Sequence, residues 1–400
     1  MKRFLILFFL TIGFLSGNAQ DKSSFTSYWD NGLRVESADG DFKIKLGGRI
    51  QYDLMFIRQD DSLNAHYTAE NGAEFRRARL YTSGTLFNNI KFKFQVDFAP
   101  AKVVLKDAYL TFTKIPVIGN IQAGNFKQPF GLEMISSSKY ITHMERPLTN
   151  QFDHDRDLGM MLFNSHLDKR FSWFAGVFLP ANGAGIYKGG KYQITTRISA
   201  LPMYKIENGY KVLNLDMAYA YHYDDNEELS YKVRPEAHLA PKYLNLSIDA
   251  LHHNHQGNIG LMLIVGSFAF QSEYTFSSLV PSTNSTLLQD RYFVDAYYGT
   301  LSWFITGEHK NFSKSKTSLD IVKPKKNLGK GGAGAFEVSV RYSSIDFNDA
   351  DIQAGALKDI TVGLNWYVNP AVRYTINYIN AHIKDLGRAN VFQMRFQVAF

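Results

Sequence analysis

Polar and apolar residues alternate singly along much of this chain. In FKIKLGGRIQYDLMFI (42–57) one set is Phe42, Ile44, Leu46, Gly48, Ile50, Tyr52, Leu54 and Phe56; the other is Lys43, Lys45, Gly47, Arg49, Gln51, Asp53 and Met55. An extended strand sends two such sets to opposite faces. The same period of two recurs in KFKFQVDF (91–98), FEVSVRYS (336–343), ITVGLNWYV (360–368) and VFQMRFQVAF (391–400). Further strands are expected near 74–86, 103–113, 117–126, 158–164, 171–179, 191–203, 211–223, 242–252, 259–275, 291–306 and 371–383, which allows about 16 to 18 in all. Turn signals such as FNNIK, LDKR, ENGY and NPAVR separate many of them, and longer polar stretches at 58–73, 133–157, 180–190, 224–235, 277–290 and 308–334 read as loops. No helical pattern of useful length follows residue 20. Ile259–Phe270 is too short for a membrane helix and is interrupted by Gly266 and Ser267.

The length of the runs decides between two all-β architectures. Strands of a soluble sandwich also alternate but average about 5–6 residues. Several runs here continue for about 9 or more, the length at which a tilted strand crosses a bilayer. Tyr and Phe gather towards strand ends, as in interfacial girdles, and the chain closes on Phe400 with aromatic or apolar residues at every second position before it. The expected fold is therefore all-β, a transmembrane antiparallel β-barrel of about 16 strands with long external loops. Lipid offers no partners to open sheet edges, so the sheet must close. The faces are then reversed relative to a soluble protein. An arginine on the lipid face at mid-membrane costs roughly 2–4 kcal/mol, so Lys43, Lys45, Arg49, Lys91, Lys93, Arg341, Arg373 and Arg395 are expected in the lumen or near its rims.

Composition narrows the setting. MKRFLILFFLTIGFLSGNAQ reads as a signal peptide over residues 1–19, with Lys2 and Arg3 before an apolar run and the small residues Gly17 and Ala19 before a cut at Gln20. Residues 20–400 then form a single barrel domain of the bacterial outer membrane, with 20–40 as an N-terminal periplasmic segment. The 400 residues include no cysteine, which excludes disulfides, thiol catalysis and cysteine metal sites. The formal charge of +7 suits small anions, anionic lipid or nucleic acid and does not choose among them.

A resemblance does choose. EFRRARLYTSGTLFNNIKFKFQVDFA (74–99) is similar to the phosphate-selective porin O and P family, and the similarity continues through LKDAYLTFT (105–113), IQAGNFKQPFGLE (121–133) and SSSKYITHMERPLTNQF (136–152). It returns at FITGEHKNF (304–312), FEVSVRYSSIDFND (336–349) and LKDITVGLNWYVNPAVRYTINYI (357–379), in family order over nearly the whole mature chain. The resemblance implies a 16-stranded barrel, usually a homotrimer, with loops folded into the pore. It also implies passive diffusion of phosphate or polyphosphate past arginine and lysine. The alternatives are a porin for other solutes or a binding or adhesion barrel without phosphate preference. An outer-membrane hydrolase is a third reading, but no nucleophile motif singles out a site. No cofactor and no nucleic-acid partner are expected.

Arg76 and Arg77 match the paired arginines of the family block. Successive strand residues face opposite ways, so both reach the lumen only if the strand is bulged. Arg79 shares a face with Arg77. An arginine fork suits phosphate oxygens, whereas an arginine paired with Glu74 at the rim would be structural. Lys127 in FKQPF and Arg146 in MERP match blocks near the loop that narrows the pore; Glu145 could pair with Arg146 or another base and make them structural too. Lys43, Lys45, Arg49, Lys91, Lys93 and Lys106 form a candidate basic stripe for anion hopping, offset in part by Asp53, Asp97 and Asp107. The lysine-rich 310–332 segment reads as an external loop that either collects anions or contacts lipopolysaccharide phosphates. HHNH (252–255) lacks further ligands at a metal-site spacing and reads as a strand-end loop.

Overall fold

The computed structural model describes residues 24–99, 101–152, 155–207 and 209–400; the expected signal peptide lies outside the described residues. An N-terminal hairpin, β1 (Phe25–Trp29) and β2 (Leu33–Ser37), precedes the barrel. The first wall is β3 (Lys43–Gln59), β4 (Gly72–Leu86), β5 (Ile90–Asp97), β6 (Val104–Ile115), β7 (Gly119–Lys127), β8 (Arg156–His166) and β9 (Phe171–Leu179). It continues through β10 (Tyr192–Lys205), β11 (Lys211–Val233), β12 (Leu244–Val265), β13 (Phe268–Pro281) and β14 (Tyr292–Phe304). A small hairpin, β15 (Asn311–Ser313) and β16 (Ser318–Asp320), precedes β17 (Ala335–Asp349), β18 (Ile352–Tyr367), β19 (Val372–Ile383) and β20 (Gly387–Ala399). Every neighbour pair in the wall is antiparallel, β14 passes to β17, and β20 returns to β3 with Arg395 opposite Asp53. Sixteen strands thus close on themselves. No helix of the described residues is long and apolar enough to cross a membrane.

The faces are reversed as the alternation requires. On β20, Phe392, Phe396 and Val398 are exposed while Gln393, Arg395 and Gln397 are buried. On β18, Ile360, Val362 and Leu364 are exposed while Asp359, Thr361 and Asn365 are buried. Aromatic pairs ring the outer surface near one end: Phe268 stacks on Trp303, Phe336 on Trp366, and Trp366 on Tyr374. Amphipathic rings of this kind sit at the headgroup level.

Two strands differ from their expected spans. The apolar 259–275 run is not one strand, because Gly266 and Ser267 form a two-residue turn between β12 and β13. Gly266 takes φ +54°, the left-handed conformation such hairpin turns demand. The polar 224–235 stretch is largely not a loop. β11 runs on through it to Val233, paired with β12, so this hairpin stands proud of the bilayer with polar side chains on its outer surface.

One end of the barrel carries short connections, at 87–89, 116–118, 167–170, 266–267 and 368–371, together with the N-terminal hairpin and Phe400. That end faces the periplasm in outer-membrane barrels. Residues 305–334 lie at this end, not among the external loops, which corrects the expectation for the lysine-rich segment. Its hairpin turns into the barrel, where Phe312 and Leu319 pack with Leu132, Leu201, Val212, Met262 and Ile264. Lys310 pairs with Glu337 at 2.6 Å.

From the opposite end two loops enter the lumen. Residues 138–148 strap across β17–β20: Arg373 donates to the Ile141 carbonyl at 2.8 Å, Asn365 to Thr142 at 2.9 Å, and the Met144 and Leu148 amides donate to Asn377 and Ser343 at 2.8 and 2.9 Å. Residues 234–243 follow, with Glu236 accepting from Arg341 and Thr361 at 2.8 Å each. Under these loops the inward face turns apolar: Ile345, Phe347, Leu357, Ile379, Ile383 and Val391 join Leu148 and Phe152 in one buried cluster. The loops fill the β11–β20 side of the lumen. The β3–β9 side stays open.

Candidate functional site, a basic lumen

The open side is built by ordinary alternation with three register shifts, one of them beside the β6–β7 turn, and the other two each place a cation in the lumen. Between β3 and β4 the register runs Gln51 opposite Arg77 and then Tyr52 opposite Phe75, so Arg76 is an extra residue. This bulge lets consecutive arginines face inward. Arg76 meets Glu145 with two hydrogen bonds of 2.9 and 3.0 Å, and Arg77 lies 3.7 Å from the same carboxylate and donates to Gln51 at 2.9 Å. Between β5 and β6, Gln95 faces Asp107 and Val96 faces Leu105, which makes Lys106 the extra residue.

Three contiguous cavities follow the open wall. The central one, of about 430 Å³, is lined by Arg49, Arg76, Arg77, Arg79, Lys93, Lys106, Lys127, Arg146, Arg156, Arg197 and Lys316, against the carboxylates Asp107 and Asp155. Towards the periplasmic end a vestibule of about 1000 Å³ shares Arg49, Lys93 and Lys316 and adds Arg34, Lys43, Lys45, Lys91, Lys139 and Lys169, with Glu36 as its one acid among the described residues. Towards the outer end a cavity of about 290 Å³ shares Arg76, Arg77 and Arg146 and adds Lys232, Arg234, His238 and Lys242, against the carboxylates Glu145 and Glu236.

Partners differ from cation to cation. Arg79 pairs with Asp97 at 2.6 Å, Lys93 with Asp107 at 2.5 Å, and Arg156 with Asp107 at 2.8 Å and Asp155 at 2.6 Å. Lys106 is 3.5 Å from Asp155. Arg49 donates to Ser138 at 2.6 Å. Lys127 and Arg146 converge on loop carbonyls: both bond Met134 and Ser136. Glu145 therefore pairs with Arg76, Arg77 and Arg395 rather than with Arg146, and Glu74 pairs with His238, not with Arg76. Burial opposes ionisation of Glu145, but Arg76, Arg77 and Arg395 outweigh it and hold its carboxyl well below the usual range. Lys139 on the same loop goes the other way. Burial, with Arg49, Lys45 and Lys93 nearby, lowers its ammonium to about 7.

Eight of the eleven residues picked from the sequence thus line the central cavity, and Lys43, Lys45 and Lys91 line the vestibule. Arg156, Arg197 and Lys316 of the central cavity and Arg34, Lys139 and Lys169 of the vestibule were missed. Arg197 was legible in QITTRIS, where it shares the inward face with Gln193, Thr195 and Ser199, all buried. Arg341, Arg373 and Arg395 point inward but sit at 1–2% exposure in bonds to Glu236, Asp53, Glu145 and loop carbonyls, so they anchor loops. His252–His255 lie within β12 rather than in a strand-end loop, with His253 and His255 against Tyr221, and no group of His, Asp or Glu among the described residues could hold a metal ion.

Known proteins resemble this chain in sequence or in fold. Porin O of Pseudomonas aeruginosa is 26% identical over 397 residues, covering 90% of this chain and 87% of the relative. An uncharacterised protein of Caulobacter vibrioides is 24% identical over 88% of this chain. Among solved structures, an anion-selective porin of Comamonas acidovorans superposes with a TM-score of 0.54 at 12% identity, covering 90% of this chain and all of that one. The outer-membrane channel DcaP of Acinetobacter baumannii gives 0.52 at 10% identity, covering 91% of this chain and 99% of that one. These two share the fold, an outer-membrane barrel. The family described as phosphate-selective porin O and P matches residues 44–400, and the chain belongs to it.

Proposed function

We propose that this outer-membrane porin passes small anions by passive diffusion, with phosphate among them. The observation that carries the reading is the central cavity, where eleven cationic side chains face two carboxylates. Walls of one sign focus the field and concentrate the opposite ion. Many of these cations already share a carboxylate or a loop carbonyl, so each site holds a passing anion weakly, and weak successive sites favour release as well as entry. Of the residues picked from the sequence, Arg77, Arg79, Arg49, Lys93 and Lys106 are the direct contacts in this reading. Arg76, Lys127 and Arg146 position the loop that narrows the path. The family also supports a homotrimer, which cross-linking in detergent tests.

Purified protein in planar bilayers under a steep KCl gradient should give a reversal potential on the chloride side, and millimolar phosphate should reduce the chloride current. Arg77→Ala should weaken that block by roughly tenfold or more, the value of a hydrogen bond to a charged group. A channel that prefers potassium ends the proposal. Chloride preference without phosphate block would leave a general anion porin.

A further inference from the structure

Water-filled lumens of outer-membrane barrels are lined by polar side chains. This one is not uniformly so. Tyr81 on β4, Tyr109 on β6, Phe163 on β8 and Phe174 on β9 all line the vestibule, and Tyr109 and Phe174 line the central cavity as well. Tyr109, Phe163 and Phe174 pack against Phe126 and Phe178, which are 2% and 0% exposed. The four rings themselves stay partly exposed to the cavity. Phe163 and Phe174, direct partners across β8 and β9, stack on each other with planes 14° apart and centroids at 5.8 Å.

Cations stand beside these rings. The Lys93 ammonium is 5.8 Å from the Tyr81 centroid, and the Arg197 guanidinium carbon is 5.4 Å from that of Phe174. A solute with a charged head and a flat ring can therefore engage both at once. A bare inorganic anion uses only the cations and leaves the aromatic surface wet. We propose that the vestibule favours ring-bearing organic phosphates or carboxylates over inorganic phosphate. This deepens the reading of the chain as an anion channel and rests on it.

The test compares phenyl phosphate with inorganic phosphate, both dianions at mildly alkaline pH, as blockers of the chloride current. Phenyl phosphate should half-block at about a tenfold lower concentration, in line with stacking on a protein ring. Phe163→Ala and Phe174→Leu should each remove most of that advantage and leave block by inorganic phosphate unchanged. Heat-modifiable migration on gels shows which variants are folded, and either folded variant suffices. Equal block by the two compounds, with chloride preference intact, overturns this inference and leaves the anion channel standing. An advantage that survives both substitutions overturns it too, because the ring then binds elsewhere. Loss of chloride preference in the unmodified protein defeats the underlying reading instead.

Discussion

Arg76 and Arg77 are consecutive in the chain, yet both reach the carboxylate of Glu145, at 2.9 and 3.7 Å. A regular strand forbids this, and the bulge opposite Gln51 and Tyr52 permits it. Two like charges forced side by side need a counter-charge, and the loop 128–155 delivers it.

Glu145→Gln tests that dependence. It leaves Arg76, Arg77 and Arg395 with less compensation in a site where Glu145 is 13% exposed. Removing one partner of a buried ion pair costs about 3–5 kcal/mol. The unfolding midpoint in detergent should fall, and the conductance should rise as the loop loosens. An unchanged midpoint would show that the carboxylate does not hold the loop.

Deletion of Arg76 should be tolerated. Without it Phe75 and Arg77 become neighbours, one facing lipid and the other the lumen, and the ladder with β3 becomes regular. Deleting Val340 from the regular stretch of β17 should instead abolish folding, because a one-residue slip sends the following side chains to the wrong face. Yield of heat-modifiable barrel compares the two.

Phe312→Ala probes the inturned hairpin. Phe312 is 3% exposed among Leu132, Val212 and Ile264, and such a truncation costs about 3–5 kcal/mol. The hairpin should leave the lumen, raise single-channel conductance and become a site of protease cleavage within 310–320. Resistance to protease equal to that of the unmodified chain would show it anchored by other contacts.

Lys139 gives the channel a pH dependence. Its ammonium, lowered to about 7 by burial beside Arg49, Lys45, Lys93 and Lys316, with the Tyr81 and Tyr140 rings on either side, is charged below that pH and neutral above it. Preference for chloride over potassium should therefore fall as pH rises through about 7. Lys139→Gln should hold the lower value throughout, and a slope that persists in the variant would assign the effect to another group.

What could be read in advance was whatever one period controls. Phe392 against Gln393 and Ile360 against Thr361 fell on the expected faces because lipid and lumen differ sharply in polarity. The bulges at Arg76 and Lys106 break that period by one residue, and nothing in FRRAR or LKDAY marks which residue is extra. The protruding end of β11 escaped because water on its outer surface removes the apolar half of the pattern. The 308–334 stretch was legible as a connection, but its length does not say at which end it lies. Ile379 and Ile383 face inward because loops distant in sequence cover them. Of the basic stripe, the residue types were visible; their division into paired and open cations depends on Asp107, Asp155 and loop carbonyls brought near by folding.

The filling of the β11–β20 side makes the route eccentric. Through the central cavity and the vestibule a solute hugs one flank, and the β11–β20 wall does not meet it there. Variation in the blocked sector would then register as tolerance to heat or denaturant, and variation in the other as current, so two independent assays on one mutant library should sort the strands into two contiguous arcs.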